Sequence, residues 1–138
     1  MPAKDVYHYQ AKNALIKAGW RIIRETYQIK FKEIKLYADI AAMAMFAAER
    51  EQQQIIVEVK SFLGASRVRD FEAALGQYIL YRLYLTQIFP EAVLYMAVSQ
   101  TIYQSFFLKS AIQLAVTELN IKIIVFDVDK EEIVQWID

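Results

Sequence analysis

Two stretches of this chain, Ala92 to Ser99 and Ile121 to Val128, are almost continuously apolar over the length of a single strand. A strand with one wet face alternates apolar and polar residues, whereas one that is apolar throughout is covered on both faces. Between them, Thr101 to Leu119 reads as a helix rich in aromatics (Tyr103, Phe106, Phe107), broken by Asn120. Strand, helix, strand in that order predicts parallel neighbours joined by a right-handed crossover. The core of the fold is therefore α/β.

The remaining elements follow the same patterning. Asp5 is placed to cap a helix with apolar positions Val6, Tyr9, Ala14, Leu15 and Ala18, ended by Gly19. That spacing puts His8 and Lys12 together on a neighbouring face. Trp20 to Lys30 is β-branched and aromatic and reads as a first strand. Lys30, Lys32 and Lys35 then mark a connecting loop. After Gly64-Ala65-Ser66, with Ser66 as N-cap, a long helix carries Phe71, Ala74, Leu75, Tyr78 and Leu85 on its apolar face and stops before Pro90. Glu131 to Ile137 forms a short last element of open type. The order is helix, three strands, helix, strand, helix, strand: an antiparallel meander leading into parallel crossovers of a mixed sheet.

Composition narrows the function more by exclusion than by indication. Hydrophobic residues make up 57% of the 138, with three Gly and two Pro, which suits one ordered domain spanning 1–138. Sixteen basic and sixteen acidic residues cancel, so bulk charge advertises neither nucleic acid nor membrane. With no Cys and the single His8, disulfides, thiol nucleophiles and Cys- or His-rich metal clusters are excluded. No apolar run approaches the roughly 20 residues of a membrane span. The N-terminus lacks a signal-peptide core, so a cytoplasmic location is expected.

The chemistry-bearing stretch runs from Leu36 to Ser61. Two apolar segments, around Asp39-Ile-Ala and Ile55-Ile-Val-Glu58-Val-Lys60, carry three charges inside strands. Such charges are costly unless paired or coordinating something. Glu58 and Lys60 share a strand face. If Asp39 opposes Glu58, the turn centres between Ala48 and Glu49; if it opposes Lys60, between Glu49 and Arg50. Both fall in a polar turn, whereas a one-residue slip would send Asp39 to the other face. Two carboxylates so placed suit Mg²⁺ or Mn²⁺, with Lys60 neutralising charge or orienting water. On the residues alone, a structural carboxylate–lysine pair at a sheet edge fits equally well.

Asp39 with Glu58-Val59-Lys60, on a hairpin after an N-terminal helix and strand, resembles the PD-(D/E)xK nuclease core. Over nearly the whole chain, Asp5-Val-Tyr-His8, Gly19-Trp20, Asp39-Ile-Ala, Val57 to Phe62, Gly76-Gln77-Tyr78, Tyr81-Arg82 and Gln135-Trp136-Ile137 resemble the XisH family. That resemblance implies a restriction-endonuclease-like three-layer α/β sandwich, a mixed β-sheet with flanking helices. It also implies a role in excising a DNA element from a nitrogen-fixation operon in heterocysts, alongside a site-specific recombinase and the companion XisI. The implied catalytic residues are Asp39, Glu58 and Lys60, with Asp39 and Glu58 as metal ligands for Mg²⁺ or Mn²⁺. Gln77, on the long helix, is placed to hydrogen-bond a metal water or phosphate. His8 is an auxiliary candidate on the first helix, where the nuclease superfamily often has a carboxylate and this chain has only His8 and Gln10. Ala38 stands where the nuclease motif often has proline. The alternative is a non-catalytic nuclease-fold module that binds XisI or the recombinase. The aromatic stripe at Tyr103, Phe106 and Phe107 reads as core and also fits a dimer interface, leaving a homo-oligomer open. Lys30, Lys32, Lys35, Arg67 and Arg69 read as solvated charge more readily than as DNA contacts.

Overall fold

The computed structural model describes residues 4–46 and 51–138. Helix α1 (His8–Lys17) leads into a hairpin of β1 (Arg21–Phe31) and β2 (Ile34–Phe46), followed by β3 (Glu51–Val59). Helix α2 (Arg67–Ile88) precedes β4 (Ala92–Ser99). A short helix α3 (Gln100–Ile102) runs on as a π turn (Tyr103–Phe107) before α4 (Ser110–Glu118), β5 (Ile123–Asp127) and β6 (Glu132–Ile137). The six strands lie in sequence order in one sheet. Antiparallel pairing runs from β1 through β3, parallel pairing joins β3 to β4 and β4 to β5, and β6 closes antiparallel. The mixed α/β sheet expected from the apolar runs is present, and the undecided last element is the strand β6.

Helices cover both faces. On one, α2 and the α3–α4 region bury Phe71, Ala74, Tyr78, Phe106, Phe107 and Val116 against Ile56, Met96, Val98 and Ile123. On the other, α1 buries Ala11, Ala14 and Leu15 against Ile40, Val57, Ala97 and Ile124. Each such large aliphatic or aromatic side chain contributes about 1.5–3 kcal/mol by leaving water. Tyr78 ties the first layer down: its hydroxyl donates to Leu94 O at 2.8 Å and accepts from Lys122 N at 3.1 Å, bridging β4 and the lead-in to β5.

Local expectations fare unevenly. Ser66 does cap α2, its hydroxyl accepting from Arg69 N, and α2 ends at Ile88 before Pro90. Gly19 ends α1 with φ +97°, a conformation that favours glycine. The lysine-rich connection is no open loop, because Lys30 and Lys35 pair across the ladder and only Lys32 and Glu33 make the turn. The continuous helix over Thr101–Leu119 is broken at Leu108 and Lys109, after a π turn in which Leu108 N reaches back to Tyr103 O. Phe106 and Phe107 are both buried there, so packing of adjacent aromatics overrides regular helical spacing. Asp5 is not the N-cap of α1, which is Tyr7; its carboxylate instead accepts from Tyr7 N and Ser61 N. Val6 and Tyr9 are 65% and 57% exposed, and His8 takes the buried face assigned to them. The turn expected near Ala48 to Arg50 lies outside the described residues.

Candidate active site

Strand β2 changes face at Asp39. Ala38 belongs to the core under α2, whereas Ile40 and Ala42 belong to the core under α1. Strict alternation would put Ala38 and Ile40 on the same side. The same change occurs in β1 between Glu25 and Tyr27, which pair with Ile40 and Ala38. The residue between them, Thr26, has φ +58°, an outlier for a β-branched residue. Neither strand gains a residue at this point, since the register is equal on both sides of it; the ladder's one shift comes earlier, between Ile22 and Arg24. Asp39 therefore emerges where both helix layers come within reach.

The β2–β3 register brings Asp39 to Glu58. Ile40 pairs with Val57, and continuing that ladder sets Asp39 opposite Glu58, the first of the two registers compatible with a polar turn. Asp39 N donates to Glu58 Oε1 at 3.0 Å, and Val59 N donates to Asp39 Oδ2 at 2.7 Å. Lys60 Nζ lies 3.7 Å from Glu58 Oε2. These strands are second and third of six, so the pair is interior and the sheet-edge placement is corrected. Glu58 is only 5% exposed.

Burial, then the neighbouring Asp39 charge, push the Glu58 carboxyl up to about 8, with Lys60 opposing. Asp39 is also raised, chiefly by burial, and the Val59 amide opposes that. A buried and a half-buried acid sharing one lysine are short of positive charge. Asp39 Oδ1 and Glu58 Oε2 are not taken up by these backbone amides, so the donor set fits a hard divalent cation that retains several waters. Among the described residues, no three His, Cys, Asp or Glu side chains converge as a metal cluster.

The surroundings bring in residues that the sequence did not single out. Tyr81 on α2 donates to Tyr37 O at 3.2 Å and accepts from Gln77 Nε2 at 2.8 Å. Burial raises the Tyr81 hydroxyl, and the Glu58 charge adds to this; the side-chain amide of Gln77 is spent on Tyr81 and bonds neither carboxylate. The four-residue spacing of Gln77 and Tyr81 was the available signal. On the other side, Asp5 clamps Ser61 N at 3.1 Å. Asp5, Lys60, Ser61, Gly64 and Asp70 line a cavity of about 270 Å³ beside the lysine. Its floor is fixed by Phe62, edge-on to Phe107 at 5.3 Å. His8 reaches neither carboxylate by a hydrogen bond; its Nε2 lies 2.8 Å from Glu25 Oε1, and Lys12 Nζ lies 2.9 Å from Glu25 Oε2.

No helix among the described residues is long and apolar enough to cross a membrane. No curated protein matches the chain. A family model described as XisH protein matches residues 1–134. The crystal structure of an XisH family protein from Nostoc punctiforme PCC 73102 is similar with a TM-score of 0.88 at 41% identity, covering 97% of this chain and 100% of that one. An fdxN element excision controlling factor protein from Anabaena variabilis is similar with a TM-score of 0.88 at 41% identity, covering 98% and 100%. With the family model spanning nearly its full length and both structures sharing its fold, the chain belongs to the XisH family.

Proposed function

We propose that this protein is a DNA-element excision-controlling factor whose Asp39–Glu58–Lys60 centre hydrolyses phosphodiesters with Mg²⁺ or Mn²⁺, in the manner of the PD-(D/E)xK nucleases. The observation that carries this reading is the interlocked carboxylate pair, Glu58 buried and Asp39 half-buried, both with raised pKa values, and one lysine 3.7 Å from Glu58. The name of the Anabaena variabilis protein supports the excision context. A divalent cation there would supply charge neutralisation and polarisation of a phosphate oxygen. Asp39 and Glu58 would hold it. Lys60, on the cavity side, stabilises charge on a bound phosphate or orients a water. Tyr81, held by Gln77, ties α2 to β2 at Tyr37 O, two residues before Asp39.

Cleavage of duplex, branched and single-stranded DNA with Mg²⁺ or Mn²⁺ tests this. Wild type cuts at least one substrate, and Glu58→Ala and Lys60→Ala each lose about 100-fold or more. Equal inertness of wild type and variants on all three overturns the enzymatic reading.

A second reading, a non-catalytic module binding an XisI-like companion or a site-specific recombinase, is favoured by the exact balance of sixteen basic and sixteen acidic residues. Co-purification with such a partner that survives Glu58→Ala, with no cation binding by calorimetry, selects it.

A further inference from the structure

On the α1 face of the sheet, three aromatic and two polar side chains enclose a cavity that the Asp39–Glu58 centre does not use. Trp20, Gln53, Tyr95, Trp136 and Asp138 line about 260 Å³. They come from the residue after the Gly19 turn, from β3 and β4, and from β6 and its end. Tyr95 packs with Trp20 and Ile55 in the core under α1, and Gln53, two residues before Ile55, shares that face. Glu58 lies two residues past Ile56, which belongs to the core under α2, so it faces the opposite way. Five residues of strand separate Gln53 from Glu58, roughly 17 Å. Tyr95 is 4% exposed and Trp20 9%, while Trp136 is half-buried and Asp138 exposed. The aromatic walls are therefore inside and the carboxylate stands at the mouth.

The ring geometry selects the kind of ligand. Tyr95 and Trp136 stand at 82° with centroids 5.2 Å apart, and Trp20 leans on Trp136 at 38° and 5.7 Å. Rings near a right angle make a corner, and a head group in that corner meets two π faces. A flat nucleobase needs a slot instead, two parallel rings about 7 Å apart with one contact distance on either side. Neither pair offers one. The Tyr95 hydroxyl donates to Asp138 Oδ1, and burial, then that bond, raises it, so it stays a neutral donor. That bond holds the carboxylate beside the Tyr95 ring. Among the described residues no lysine or arginine lines the cavity. Aromatic faces and a carboxylate without a basic partner repel phosphate and attract positive charge.

We propose that this cavity binds an organic cation, an alkylammonium or guanidinium head group. The Tyr95, Trp136 and Trp20 rings take the place of part of its hydration shell, and Asp138 supplies the counter-charge. The volume suits a head group with a short stem, being below the roughly 300–1,000 Å³ of pockets that hold drug-sized molecules. The site lies on the other face of the sheet from Glu58 and owes nothing to the hydrolytic reading.

Both tryptophans of the chain line the cavity, so intrinsic indole fluorescence of the full chain reads this site directly. At constant ionic strength it is titrated with choline, Nα-acetyl-lysinamide and Nα-acetyl-argininamide, and with neutral dimethylbutanol, the carbon isostere of choline. At least one cation gives a saturable change, and the neutral alcohol binds about 10-fold more weakly than choline or not at all. The tightest cation separates the sources: choline indicates a free quaternary amine, the amides a basic side chain of a partner protein. Trp136→Leu, read through Trp20, weakens that cation about 10-fold. Asp138→Asn sits at an exposed position and keeps an acceptor for Tyr95, so the fold is undisturbed; it weakens the cation about 3-fold or more. No saturable response to any of the three cations overturns the site. Equal binding of choline and the alcohol, tighter binding of deoxyadenosine monophosphate, or wild-type affinity in Asp138→Asn overturns it as well.

Discussion

Glu58 grips the backbone of Asp39, and Asp39 grips the backbone of Val59, the residue after Glu58. The Asp39 amide donates to the Glu58 carboxylate at 3.0 Å, and the Asp39 carboxylate accepts from Val59 at 2.7 Å. Two acids that should repel are thereby locked side by side across the β2–β3 ladder. The sheet is held together partly by the groups that make the site, so stability and function meet at this point.

The first consequence is a pH dependence. The folded protein holds Glu58 up to about 8 from an ordinary 4.5, so it binds more protons than the unfolded chain in that window. Stability from this group is full below about 4.5 and is lost as pH rises through about 8. Asp39 acts in the same direction. Glu25, held down to about 2, has the opposite sign and matters only as pH falls below its ordinary value. Urea denaturation without divalent cations will show stability falling from pH 5 to 8. Glu58→Gln flattens that slope and gains on the order of 1–3 kcal/mol at pH 8.

Thr26 holds a positive φ of 58° opposite the point where Asp39 turns over. A β-branched residue there carries strain of roughly 1–3 kcal/mol, which glycine lacks. Thr26→Gly is expected to leave stability unchanged or raise it by about 1 kcal/mol. Thermal unfolding checks this, since glycine in an ordinary strand interior destabilises.

The Tyr78 hydroxyl is buried between Leu94 O and Lys122 N. Tyr78→Phe leaves both backbone groups short of a partner and costs about 1–3 kcal/mol. Chemical denaturation will read this as a lower midpoint at unchanged slope.

Arg82 reaches across to the end of α4, donating to Leu119 O at 2.9 Å and Asn120 O at 2.8 Å. It satisfies carbonyls that a helix end leaves open. Because the contact is exposed, Arg82→Ala costs only about 0.5–1.5 kcal/mol. Hydrogen exchange should quicken in α4 while α1 is unaffected.

The sequence by itself determined the α/β class, because strand-length apolar runs such as Ala92–Ser99 are stable only when both faces are covered. It also limited Asp39 to two registers, since side chains alternate with period two and the turn had to be polar. Local chemistry was enough for the Ser66 cap and the Gly19 terminus. It was not enough for the break in the helix after Thr101, where two adjacent phenylalanines both had to be buried. Nor did any local pattern mark the change of face at Asp39 and Thr26, which depends on two strands turning together. The His8–Glu25 pair and the Tyr81 bond to Tyr37 O escaped it for the same reason: each residue is ordinary in its own element and meaningful only through a partner distant in sequence. Patterning decided which residues could be buried. Packing of α1 and α2 on opposite faces of one sheet decided that His8, Glu58 and Tyr81 would be buried while Glu25 and Asp39 stay half-buried.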